Sequence, residues 1–146
     1  MVNIVRVILA VIVMALASPC AGAQRMAVAA SIANIRSGPG TNYDVIWQIA
    51  RYHPIKVEQK KGNWYLFVDF QGDRGWIHKS LVDKTETVIT DKSKCNVRAE
   101  PVVKDGNILF QVPEGIPFRV IRRKGNWLQV EHADGDRGWI HRSLVW

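Results

Sequence analysis

The sequence predicts an all-β protein, two small β-barrels in tandem behind a cleavable leader. Three observations carry that expectation. The twelve residues Gly72-Asp73-Arg74-Gly75-Trp76-Ile77-His78-Lys79-Ser80-Leu81-Val82-Asp83 return sixty-three positions later as Gly135 to Trp146, and the first ten change only where Lys79 becomes Arg142. Short alternating segments separated by glycine-bearing turns fill each copy, the pattern of strands rather than helices. An apolar stretch with the layout of an export signal precedes both copies. The duplication extends upstream: Lys61-Gly62-Asn63-Trp64 matches Lys124-Gly125-Asn126-Trp127, and Asn34-Ile35-Arg36 matches Asn96-Val97-Arg98 at an offset of sixty-two, so one residue has been gained between the anchors. Each repeat spans about fifty residues, too few for a large enzyme core and enough for a small barrel.

In chain order, the leader comes first. Met1 to Arg6 carries one positive charge and no acid, Val7 to Ala17 is an unbroken run of eleven apolar residues, and Ala21-Gly22-Ala23 puts small residues where a signal peptidase cuts. Cleavage there leaves Gln24 as the first residue. Eleven residues fall short of the roughly 20 needed to span a bilayer as a helix, so no stable membrane span is expected after cleavage. The resulting division is 1–23 leader, 24–82 first domain, 83–93 linker and 94–146 second domain. Removing the leader takes Cys20 with it and leaves Cys95 without an internal disulfide partner. Cys95 sits where Ala33 stands in the first repeat, which makes it a small buried strand residue rather than a reactive thiol.

Within the second repeat, Arg119 to Arg122, the turn Lys124-Gly125-Asn126, Trp127 to Glu131, the turn Asp134-Gly135-Asp136 and Arg137 to His141 form a three-stranded meander. Strands around Asn96-Val97-Arg98 and Ile108 to Val112 complete five per repeat, which suits a small closed barrel that hides its edges. Alternation turns Leu128 and Val130 into the core and Trp127, Gln129 and Glu131 out. Transferred to the first repeat, the same parity buries Tyr65 and Phe67 and exposes Trp64, Leu66 and Val68. That outer apolar stripe, with Trp139, is a candidate for packing or interdomain contact. On the closing strand Gly75 and Ile77 point in, and Arg74, Trp76 and His78 point out.

The run Gly75-Trp76-Ile77-His78-Lys79-Ser80-Leu81-Val82 resembles the closing strand and 3₁₀ turn of Src-homology-3 barrels. Asn34-Ile35-Arg36-Ser37-Gly38-Pro39-Gly40-Thr41-Asn42-Tyr43 is similar to the opening signature of bacterial Src-homology-3-like (SH3-like, SH3b) domains. The resemblance covers about Ala30 to Val82 and Lys94 to Val145. It implies two SH3-like barrels and binding to cell-wall or surface material, with peptidoglycan or an envelope protein as partner and a periplasmic or secreted location. The proline and tyrosine of the family's proline-binding groove are replaced by His78 and Leu81, and by His141 and Leu144, so recognition of proline helices is not expected. The second repeat also lacks the Ser-Gly-Pro-Gly turn and reads Ala99-Glu100-Pro101-Val102.

Without Arg6, 19 Lys and Arg face 13 Asp and Glu, a net basic balance that favours acidic partners; outside the cytoplasm these are envelope polymers rather than nucleic acid. No carboxylate pair, nucleophile with its base, or metal-spaced cluster is visible, so neither catalysis, a metal nor a cofactor is expected. The first repeat holds eight of the thirteen aromatic residues and keeps the Arg36 to Tyr43 loop in family form. The expected ligand site is accordingly Arg36, Tyr43 and Trp76, with Arg36 meeting an acidic group and the rings covering sugar or peptide faces.

Overall fold

The computed structural model describes residues 22–146, and the expected leader lies outside the described residues except for Gly22 and Ala23. The first repeat contains β1 (Gln24–Val28), β2 (Ile32–Arg36), β3 (Val45–Ala50), β4 (Pro54–Lys61), β5 (Trp64–Val68), β6 (Arg74–His78), a 3₁₀ turn (Lys79–Leu81) and β7 (Val82–Asp83). The second contains β8 (Thr87–Ile89), β9 (Cys95–Arg98), β10 (Ile108–Val112), β11 (Pro117–Lys124), β12 (Trp127–Glu131), β13 (Arg137–His141) and a 3₁₀ turn (Arg142–Leu144). Both sheets are antiparallel, ordered β3-β2-β6-β5-β4-β1-β7 and β10-β9-β13-β12-β11-β8. The chain is therefore all-β, two SH3-like units in tandem.

Two expectations change. The meander comes out as read, but the first repeat has two further strands, β1 and β7, and the second has one, β8, each lacking a sequence signal because it is short and its pairing partner is distant. Strand β8 falls inside the stretch 83–93 expected as linker, which leaves 84–86 between β7 and β8, and Glu86 O already accepts from Val120 N of β11. The barrels also close by packing rather than by a continuous ladder, because β3 and β10 remain edge strands.

Local chemistry explains the shape. Gly62 and Gly125 adopt φ of 59° and 57° at the first turn position between long strands, as a two-residue hairpin of the primed type requires. Register slips between Val57 and Gln59 and between Val120 and Arg122 mark a bulge at the same place in both repeats, and a bulge bends the strand around its core. Ile35, Ile55, Phe67 and Ile77 fill the first core; Val97, Phe118, Leu128, Val130 and Ile140 fill the second. Cys95 is buried in that second core, where loss of solvation pushes its thiol up and keeps it protonated.

The two barrels touch through β4 and β8, with Arg25 of β1 and Trp146 beside them. Met26 and Val28 serve the first core and Val88 the second. Ala27 and Ile89 are fully buried yet belong to neither core; alternation turns them toward the facing repeat. The Arg25 guanidinium donates to Thr87 O at 3.3 Å and stacks 4.4 Å from the Trp146 ring, and Lys56 Nζ lies 4.9 Å from the same ring. Trp146 is itself held to β8 by reciprocal backbone bonds with Ile89.

His53, at the start of β4, carries an Nε2 with no partner and packs against Phe70. Loss of solvation holds its pKa below the ordinary imidazole value of 6.5, with Asp69 opposing weakly. A depressed histidine pKa means that the unfolded chain binds the proton more readily than the folded one. Stability is thus full above about pH 6.5 and falls as the pH drops through the folded pKa. Urea midpoints measured from pH 8 to 5 should decline on the acid side, and His53→Phe should flatten that decline; an unchanged slope in the variant would place the acid sensitivity elsewhere.

Candidate functional site

Antiparallel register builds one outward face from several strands. Trp64 stands opposite His78, Leu66 opposite Trp76 and Val68 opposite Arg74, while Arg36 pairs with Trp76 from the other side. The residues expected as ligand contacts, Arg36 and Trp76, and those expected as packing, Trp64, Leu66 and Val68, therefore share a single face. Tyr43 lies on the loop beside it, its ring packed over Gly38, where an added Cβ would come within 2.3 Å of the ring. It is half exposed. Arg36 is committed locally: its guanidinium donates to Thr41 O at 3.1 Å and Tyr43 O at 2.8 Å, so it braces the loop.

The second repeat repeats this construction. Arg98 donates to Lys104 O and to Asn107 Oδ1 at 2.7 Å, bracing a loop of different sequence with the same guanidinium. Asn34 accepts from Gln48 and Asn96 from Gln111. Trp64 meets His78 edge-on with ring centres 5.2 Å apart, and Trp127 meets His141 at 5.1 Å. Each histidine also caps the 3₁₀ turn after it, accepting at Nδ1 from the amide of Ser80 or Ser143 at 3.2 Å. An Nδ1 that accepts leaves the proton of the neutral ring on Nε2, so each pair offers an imidazole N–H beside an indole.

Around Trp127 and His141 the surface sinks into a groove of about 300 Å³ lined also by Asn96, Arg98, Val103, Ser143 and Leu144. Sequence reasoning placed Trp127 on the outer face but did not join it to His141 and the loop. The signal was present in the identical Gly-Asn-Trp and Trp-Ile-His runs; the ladder register was not. Such a groove can stack a planar or sugar face on the indole, donate hydrogen bonds from imidazole and carboxamide, and carries no acid on its walls.

The two repeats differ along the outer stripe. Where the first has Leu66 and Val68, the second has Gln129 and Glu131, with Arg122 on Gln129 at 2.8 Å and Arg119 on Glu131 at 2.7 Å. Arg137 completes the clasp on Glu131, and the two guanidinium groups hold that carboxyl below its usual range. Trp139 is 6% exposed beneath the Arg122 guanidinium, 5.2 Å from its ring, whereas Trp76 is only half-buried. The interdomain contact runs through β4, β8, Arg25 and Trp146. No group of three or more metal-ligating side chains occurs among the described residues.

Two bent antiparallel sheets, each with a braced opening loop, an edge-on Trp–His pair and a capped 3₁₀ turn, define a tandem of small β-barrels. The family model described as bacterial SH3 domain matches residues 29–84 and again 91–146, and the chain belongs to that family. The chain is also 27% identical over 124 residues to a Bacillus subtilis (strain 168) protein named "Putative N-acetylmuramoyl-L-alanine amidase YrvJ", a match covering 73% of this chain and 23% of that protein. Among solved structures it is similar to NlpC2 from Trichomonas vaginalis, with 11% identity and a TM-score of 0.38 over 88% of this chain and 49% of the other. NlpC1 from the same organism gives 12% identity and a TM-score of 0.37 over 94% and 50%. The chain thus spans under a quarter of the Bacillus protein and about half of each Trichomonas protein.

Proposed function

We propose that the protein is a non-catalytic binding module, exported to the periplasm or beyond the cell, that recognises peptidoglycan or another component of the envelope. The observation that carries this reading is the Trp127–His141 groove, with the same edge-on Trp–His pair repeated at Trp64 and His78, on a chain with a basic balance. The name of the Bacillus relative, an amidase of a wall component, points the same way for the wall as ligand. Arg36, Tyr43 and Trp76 extend the Trp64–His78 face of the first repeat. An alternative, an adaptor holding another envelope protein, is favoured by the apolar edge of the second repeat, where Val103 is 74% and Leu109 55% exposed.

Co-sedimentation with purified sacculi tests both. Trp127→Ala and Trp64→Ala should each weaken binding about tenfold, the equivalent of one lost stacking contact of roughly 1.4 kcal/mol. Tyr43→Ser and Trp76→Ala measured beside them ask whether the first repeat contributes more. Circular dichroism of each variant separates lost binding from lost folding. Sacculi stripped of protein should bind as well as untreated ones; binding that disappears on stripping selects the adaptor, and parental binding by all four variants refutes the groove.

A further inference from the structure

We propose a second ligand site in the cleft between the two barrels, distinct from the Trp127–His141 groove, that takes a short peptide bearing a free carboxylate and small apolar side chains. The cleft measures about 490 Å³ and is shared by Ser31, Ala50 and Arg51 of the first repeat and Ile116, Pro117 and Ala133 of the second. That volume lies within the range of small-ligand pockets, which favour domain interfaces. It lies between repeats held together by Arg25, Lys56, Thr87 and Trp146.

Its lining is two-sided in chemistry. Ala50, Ile116, Pro117 and Ala133 supply small apolar walls that suit methyl-sized side chains, and the His132 imidazole, its Nδ1 2.9 Å from Asp134 Oδ1, closes one side of the cleft. Arg51 supplies the charge. Its Nε donates to Ala29 O at 3.0 Å, which fixes the guanidinium plane, and none of the carboxylates among the described residues pairs with its two Nη groups. A guanidinium anchored through Nε and open at both Nη matches a carboxylate bidentately.

The backbone next to Arg51 is also unusual. Tyr52 has φ of 70°, the left-handed region, where the second repeat has Gly115 at 86°. A bulky residue there is a strained outlier of the kind that gathers at ligand sites. Tyr52 lines the smaller cleft on the other flank of the same contact, and Arg51 borders both.

The test is amide chemical-shift mapping of the full protein titrated with alanyl-alanine, with its C-terminal amide as control. The dipeptide should shift residues 50–51, 115–116 and 132–133, and the amide form should bind at least tenfold more weakly. Arg51→Gln should weaken the dipeptide to the same extent, and Ala133→Trp, an exposed substitution that fills the cleft, should abolish it. Trp127→Ala should leave these shifts unchanged, which keeps this site separable from the groove. Equal binding of acid and amide, or shifts unaffected by Ala133→Trp, would overturn the proposal.

Discussion

Gly138→Val should cost about 3 kcal/mol, at the upper end of the usual overpacking range, and lower Tm by roughly 10 °C. Gly138 points inward on β13, and a Cβ there would meet Val97 Cγ1 at 2.5 Å and Arg98 O at 3.0 Å. Val97 is fully buried and β-branched, so its rotamer cannot yield, and the carbonyl belongs to the strand paired with β13. Relief requires β9 to separate from β13, which opens the barrel where its ladder is thinnest. Gly75 of the first repeat is equally crowded, with Ile35 Cγ2 at 2.3 Å and Trp47 at 2.9 Å, and Ile35 is likewise fully buried and β-branched. Gly75→Val should therefore cost a comparable amount. A thermal or urea midpoint for Gly138→Val that matches the parent would show that the strand faces the other way.

Ile89→Ala should cost a similar amount, about 3 kcal/mol, with a different signature. Ile89 is wholly buried between the barrels and outside both cores, so its removal leaves a cavity at the contact rather than within a repeat. In the parent, Arg25, Lys56 and Trp146 tie the repeats together and unfolding should proceed in one calorimetric transition. The variant should show two, as each barrel comes to report its own stability. Two transitions already present in the parent would show that the contact adds little.

Much of each barrel was legible in the residues alone. Period-two alternation around Leu128 and Val130 fixed their burial and the outward turn of half-buried Trp127, because a strand with one wet face has no other way to sort apolar from polar side chains. The same parity carried across to Phe67 and to the outward Trp64. Internal repetition made the reading redundant, since a turn or strand found in one copy was checked by the other.

The candidate site was legible only in part. Arg36, Tyr43 and Trp76 could be assigned to loop and strand, but the guanidinium of Arg36 turned out to be occupied by the carbonyls of its own loop. That bond depends on how residues 36 to 43 fold back, which no spacing encodes. Strands β1 and β8 escaped notice because three to five residues carry too little periodicity, and their partners lie about thirty residues away.

By itself, then, the sequence determined a duplicated all-β chain, the inner and outer faces of its long strands, and its resemblance to SH3-like domains; all of these follow from local alternation, turn chemistry and repetition. Tertiary structure alone decided that the repeats are held together by Arg25, Lys56, Thr87 and Trp146, that Trp127 and His141 share one groove, and that Arg51 faces a cleft formed by both repeats. These depend on contacts between residues brought together by folding, some more than a hundred positions apart, as Arg25 and Trp146 are. Such contacts are selected by the packing of complete barrels and leave no mark in any local window of the chain.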